Sequence, residues 1–211
     1  MFSLYYKKNN NKELFEYLEE NGFQNPQNYF PLMSNFFQLD TNNFNKINLN
    51  QHYSIKMIKE TKNTNNFTIS CQDEKNNEKT VESFFKFSPL IDPVKFMVGK
   101  YEKTDKTIIE TLPKLNDNSC LDKVLDKNNS AYVDSFFSYL TSQLLHKSAF
   151  NHGIDFYGTF TSIQNKHICN IFEDVEYLHD SKYFHRNKDI LFEVDHIDID
   201  RFLDSDTRKY K

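Results

Sequence analysis

Three short stretches decide the fold: Tyr53–Glu60 reads YSIKMIKE, Phe67–Gln72 reads FTISCQ and Thr80–Ser88 reads TVESFFKFS. Each alternates apolar with polar residues, most cleanly Phe67, Ile69 and Cys71 against Thr68, Ser70 and Gln72. A period of two is the pattern of a half-buried strand. The connections, Thr61–Asn66 and Asp73–Lys79, are short and polar. The pattern therefore predicts three strands in an antiparallel meander with one wet face and one buried face.

Downstream, Ser130–Lys147 (SAYVDSFFSYLTSQLLHK) places Tyr132, Val133, Phe136, Phe137, Leu140 and Leu144 on a broad apolar stripe, with Ser130 as N-cap, and predicts an amphipathic helix. Ile154–Ile163 and His167–Phe172 read as a hairpin around Gln164-Asn165-Lys166, Asp174–Phe184 as helical and Ile190–Val194 as a short strand. A helix between the third and fourth strands of an antiparallel sheet is an α+β arrangement. Upstream, residues 12–21 predict a short helix, with Asn11 as N-cap and Gly22 just past its end. Asn25–Asn50 carries Pro26, Pro31 and the ring pairs Tyr29-Phe30 and Phe36-Phe37, and reads as an irregular extension packed down by its rings. Asp92 and Pro93 open another short helix. Residues 102–129 are read as a long surface excursion, and they and 196–211 are where most disorder is expected.

Composition narrows the function. The chain has 211 residues, a net charge of −4 and 16 % aromatics (21 Phe, 12 Tyr, no Trp), enough for a real core carried by rings. Its 25 Asn and 23 Lys against 2 Ala are the pattern of an AT-rich genome. Four isolated glycines form no phosphate-cradling loop, and three dispersed cysteines form no C-x-x-C pair, which speaks against a disulfide framework or a zinc site. No stretch is long and apolar enough for a bilayer span, and the opening MFSLYYKKNNNKE lacks the apolar middle of a secretory signal, so a cytosolic chain is expected. Scattered lysines give no basic face for nucleic acid.

Two side chains stand out as candidates. Lys86, inside Phe84-Phe85-Lys86-Phe87, is placed as a strand lysine that could hold an ammonium against a phosphate, the plain alternative being the exposed face of that strand. Asp134, on the polar side of the strong helix, could orient Lys86 if the helix packs across the sheet, the plain alternative being a first-turn acid that complements the helix dipole. The run Asp195-His196-Ile197-Asp198-Ile199-Asp200 lacks the glycine and distal glutamate of a calcium loop and reads as a solvated acidic surface.

Three stretches taken together carry a resemblance: FFKFSPLIDPVKFMVGKY (84–101), NNSAYVDSFFSYLTSQLLHKSAFNHGIDFYGTF (128–160) and EDVEYLHDSKYFHRNKDILFEVD (173–195). They resemble the N-terminal part of the serine/threonine protein kinase-like proteins of giant viruses, the nucleocytoplasmic large DNA viruses, over residues 29–195. The resemblance implies a domain similar to a protein-kinase small lobe at 51–195, preceded by an N-terminal helix and aromatic extension at 1–50 and followed by a charged tail at 196–211 that leads to a C-terminal lobe. It implies that Lys86 pairs with the phosphates of ATP, with Mg2+, and that Asp134 stands where the family's helix carries a glutamate. The first strand connection, Thr61–Asn65, stands where the glycine-rich loop belongs and holds no glycine. A kinase also needs a catalytic-loop Asp, a metal-binding Asn and the Asp of D-F-G. None is present, and His185-Arg186-Asn187 has Asn where that loop carries its Asp.

The expectation is therefore the ATP-side lobe of a viral kinase-like protein, inactive alone, with a protein substrate or companion lobe as partner and no nucleic acid or membrane. The implied location is the host cytoplasm, viral factory or virion. The alternative is a non-catalytic pseudokinase-like adaptor or virion component.

Overall fold

In the computed structural model, which describes residues 3–194, the elements follow in the order β1 (Tyr6–Lys8), α1 (Lys12–Glu20), β2 (Phe23–Gln27), a 3-10 turn (Pro31–Asn35), β3 (Ile47–Leu49), β4 (Tyr53–Thr61), β5 (Asn66–Asp73), β6 (Glu78–Phe84), α2 (Pro93–Met97), α3 (Lys106–Ile109), α4 (Asp122–Leu125), α5 (Ser130–Ser148), β7 (Thr161–Gln164), a second 3-10 turn (Phe172–Asp174), α6 (Val175–His179) and α7 (Lys182–Asn187). The fold is α+β, with small antiparallel sheets: β1 with β3, β2 with β7, and β4-β5-β6. The described residues up to Leu90 and Lys106–Lys166 form one unit; Ile91–Asp105 and the described residues from His167 form another.

The meander is the predicted one, with Phe67, Ile69 and Cys71 of β5 all buried. β4 needed a device that simple alternation does not foresee. Ile55 and Ile58 lie three residues apart and would face opposite sides of a regular strand. Ile55 pairs with Cys71 and Met57 with Ser70, then Ile58 with Ile69 and Glu60 with Thr68, so Lys56 and Lys59 are each one residue extra. The bulge at Lys56 returns Ile58 to the buried face. The two lysines reach over β5 on the wet face, Lys56 to Glu78 at 2.7 Å and Lys59 to the Thr80 hydroxyl at 2.7 Å. The third strand ends at Phe84, not Ser88, so Lys86 lies beyond it.

On the buried face of this sheet α1 lays Leu14 and Leu18 against Ile55, Ile58, Phe67, Ile69 and Cys71. Asn11 occupies the N-cap position, but with φ +38° its side chain makes no capping bond. It donates instead to the Asn28 and Asn48 side-chain oxygens, both at 2.9 Å.

A second core in the same unit joins Phe30, Leu32, Met33 and Phe37 to Ile47, Leu49 and three rings of α5, Tyr132, Phe136 and Tyr139. The aromatic extension is thus built into a core. On α5 the buried residues are Tyr132, Phe136, Tyr139, Ser142 and Gln143, whereas Val133 and Phe137, expected on the apolar stripe, are exposed. The inward row is narrower because Ser142 and Gln143 are needed inside: Ser142 Oγ accepts from Phe156 N at 3.2 Å, and Gln143 Nε2 donates to Asn50 O at 2.8 Å. The helix is capped by Asn129, not Ser130, through its side chain and Ala131 N.

Three further expectations are corrected. β7 pairs with β2 at Phe23–Gln164, so there is no fourth strand beside the meander, and His167–Phe172 forms no strand. Residues 102–129 are not mere surface: they hold α3 and α4 and bury Pro113, Cys120 and Val124. Ile190–Val194 is a turn joined by one bridge, Lys188–Phe192, because Phe192 leaves the extended path to stack on Phe184 at 5.3 Å.

In the second unit Asp92 caps α2 through Val94 N and Lys95 N, as predicted, and Met97 packs with Ile171, Val175, Leu178 and Phe184. The stretch expected to be one helix, Asp174–Phe184, breaks at Asp180-Ser181, where the Ser181 side chain caps α7. The tail 196–211 and the acidic run from Asp195 lie outside the described residues.

A buried polar hub stands at Asn50, 2 % exposed. Asn50 N donates to Tyr5 O at 3.0 Å, Asn50 Oδ1 accepts from Tyr5 N and the Tyr139 hydroxyl, Asn50 Nδ2 donates to Ser3 O, and Asn50 O accepts from Gln143. Truncation would leave buried donors and acceptors unpaired. Asn50→Ala is expected to lower unfolding stability by about 2–4 kcal/mol, measured by urea titration.

Candidate functional site

The segment after β6 sets Lys86. Phe85 N donates to Asn65 O at 2.7 Å and Phe85 O accepts from Asn65 Nδ2 at 2.9 Å, while the Phe85 ring lies 4.3 Å from that of Phe67. Phe87 stacks on Phe23 at 5.6 Å, and Leu90 O accepts from Asn129 Nδ2 at 2.9 Å beside the start of α5. Between these anchors the Lys86 ammonium meets the Asp134 carboxylate at 2.8 Å. The structure therefore brings the two candidate residues together. The pair stands in solvent, with side chains 62 % and 46 % exposed.

The β4–β5 connection, which stands where the resemblance places a glycine-rich loop, uses its own amides. Lys62 N donates to Asn66 O at 2.9 Å, and Asn63 Oδ1 accepts from both Asn65 N and Asn66 N. Amides occupied this way do not point at a phosphate. A cavity lined by Asn11, Asn28, Asn48, Gln51, Ile55 and Phe156 measures about 10 Å³, room for one water and nothing larger. Among the described residues no group of three or more His, Cys, Asp or Glu is placed to hold a metal ion. No described helix is long and apolar enough to cross a membrane.

A second cluster escaped the sequence reading. His146 near the end of α5 shares a 2.5 Å hydrogen bond with Asp155 and stacks on His52 at 4.3 Å with 24° between the rings. His52 meets the Tyr53 ring edge-on at 4.5 Å, and Lys79 Nζ sits 3.4 Å over Tyr53 and 5.8 Å from the Tyr157 ring. Burial, with Asp155 beside it, pushes the Tyr157 phenol up to about 12. Burial and then His146 hold His52 below its ordinary value of 6.5, against the opposing pull of Asp155 and Asp73. Burial raises the Cys71 thiol, which stays protonated and unreactive. No local spacing announces this cluster, because its members come from β4, β6, α5 and the segment before β7.

No protein-family model matches the chain, and no curated protein or solved structure is significantly similar to it. The likeness to kinase-like proteins rests on the sequence blocks alone.

An ion pair this exposed gains little, because water screens it and two long side chains lose freedom. Lys86→Ala, Asp134→Ala and the double variant should give a coupling energy below about 1 kcal/mol in a denaturation cycle, smaller still in added salt.

Proposed function

We propose that the chain is a non-catalytic protein-binding module, in the terms of its sequence resemblance a viral adaptor or virion component, that docks through the outer side of α5. The observation that carries this reading is the setting of the Lys86–Asp134 pair. Val133 and Phe137, 44 % and 63 % exposed, lie one helical turn apart, and Phe137 is the i+3 neighbour of Asp134 on the helix surface. Exposed aromatics beside fixed charges are the composition of a partner-binding patch, with the ring as anchor and the charges as orienting groups. The self-bonded Lys62–Asn65 turn supports the non-catalytic part.

One observation favours a second reading, the ATP-side lobe of a kinase-like protein: the lysine and acid that the resemblance singles out are in contact at 2.8 Å. On that reading Lys86 would hold the phosphates of ATP with Mg2+, Asp134 would orient Lys86, and a companion lobe would bring the base and metal ligands.

Two measurements separate the readings. Titration of ATP with Mg2+ into the purified chain should give no binding heat; saturable binding lost in Lys86→Ala would turn the assignment to the second reading. A photo-crosslinking residue at position 137 should trap a discrete partner in extracts of infected host cells, and Phe137→Glu should abolish that complex with unfolding unchanged. Equal trapping from position 59, on the wet face of the sheet, would overturn the docking face.

A further inference from the structure

The histidine cluster lies on the seam between the two cores of the large unit. Residues 50–53 lead from Leu49 in one core to Ile55 in the other, and Phe156 and Tyr157 pack on the first and second respectively. Three hydrogen bonds close this seam, Ile55 N to Tyr157 O at 2.9 Å, Gln51 Nε2 to Tyr157 O at 3.2 Å and Phe156 N to Ser142 Oγ at 3.2 Å. The His52–His146 stack ties the lead into β4 to the last turn of α5, the main helix of the first core, and Asp155 fixes His146 from the returning chain. The segment that returns is tightly threaded, for a Cβ at Gly153 would lie 2.5 Å from Thr141 O.

We propose that the His52–His146 stack is a pH-sensitive staple that holds the seam between the two cores at neutral pH and releases it when His52 takes up a proton. A face-to-face stack suits neutral rings. An imidazolium at His52 would set its charge against the second imidazole 4.3 Å away, at a surface site where water moderates that cost without removing it. The groups that face it come from every neighbouring element: His146 from α5, Asp155 and Tyr157 from the returning segment, Tyr53 from β4, Asp73 from β5 and Lys79 from β6. Asp73, held below the usual carboxylate range by the Asn77 side chain and amide, stays ionised throughout the window in which a histidine titrates. Lys79 adds to the repulsion and is partly shielded by the Tyr53 ring.

The direction follows from linkage. A histidine whose value is depressed in the closed state binds its proton more tightly when the seam is open, so the staple is at full strength above 6.5 and is lost as pH falls through the depressed value.

The test compares wild type with His52→Phe, which keeps a ring on His146 and removes the titration. Hydrogen exchange of the Ile55 and Phe156 amides, corrected for intrinsic rate and referred to Ile69 in β5, is followed from about pH 7.5 to about pH 5.5. In wild type the relative protection of the seam should fall by about threefold or more, and in His52→Phe it should stay nearly level. Equal losses in the two proteins, or a wild-type seam that stays protected, overturn the staple. If the variant does not fold, NMR titration of His52 in the wild-type chain decides: a midpoint below 6.5 that coincides with seam opening supports the proposal, and opening that does not follow His52 overturns it.

Discussion

Asn50 is the constraint on which the larger unit depends. It joins the N-terminal strand, the entry to the meander and the long helix through direct hydrogen bonds of its backbone and side-chain atoms. Buried polar hubs of this kind carry a high penalty for partial satisfaction, so they define one arrangement and disfavour near alternatives. Burial raises the Tyr139 phenol above its ordinary range, which keeps its proton in place as donor to Asn50. Two moderate cores become one unit because the chain passes between them repeatedly and is pinned where it crosses.

The two polar clusters of the unit belong to such crossings and differ in character. Lys86 and Asp134 are held together by backbone anchoring on either side, Phe85 on Asn65 and Leu90 on Asn129, with the charges left in solvent. Their positions are set by the backbone while their mutual energy is small. The two histidines of the other cluster lie at the surface, stacked ring on ring, and partial burial and then His146 lower the pKa of His52.

The meander was legible because β5 alternates cleanly, and α1, α2 and α5 because their spacing and flanking residues agree with helix. What could not be read locally follows from long-range competition. Ile55 and Ile58 reach one face only because bulges absorb Lys56 and Lys59, and no single-strand pattern contains that adjustment. Ser142 and Gln143 look like surface residues until Asn50 and Phe156 supply their partners, and that choice turns Phe137 outward. Of the candidate site, both residues were named from the sequence, whereas their exposure and the end of β6 before Lys86 required coordinates. His52 and His146 carried no signal because a stack of rings between distant segments has no spacing rule.

The pairing of β2 with β7 has a consequence for how the protein comes into being. Gln24 and Asn165 touch across 141 positions of sequence, so during synthesis the second strand waits, edge unpaired, until nearly all of the large unit has left the ribosome. Contacts closed over such spans slow folding and prolong the life of open strand edges. The nascent chain therefore assembles its meander early and its N-terminal edge last, and Phe23 and its neighbours are the segment a chaperone would meet in the interval.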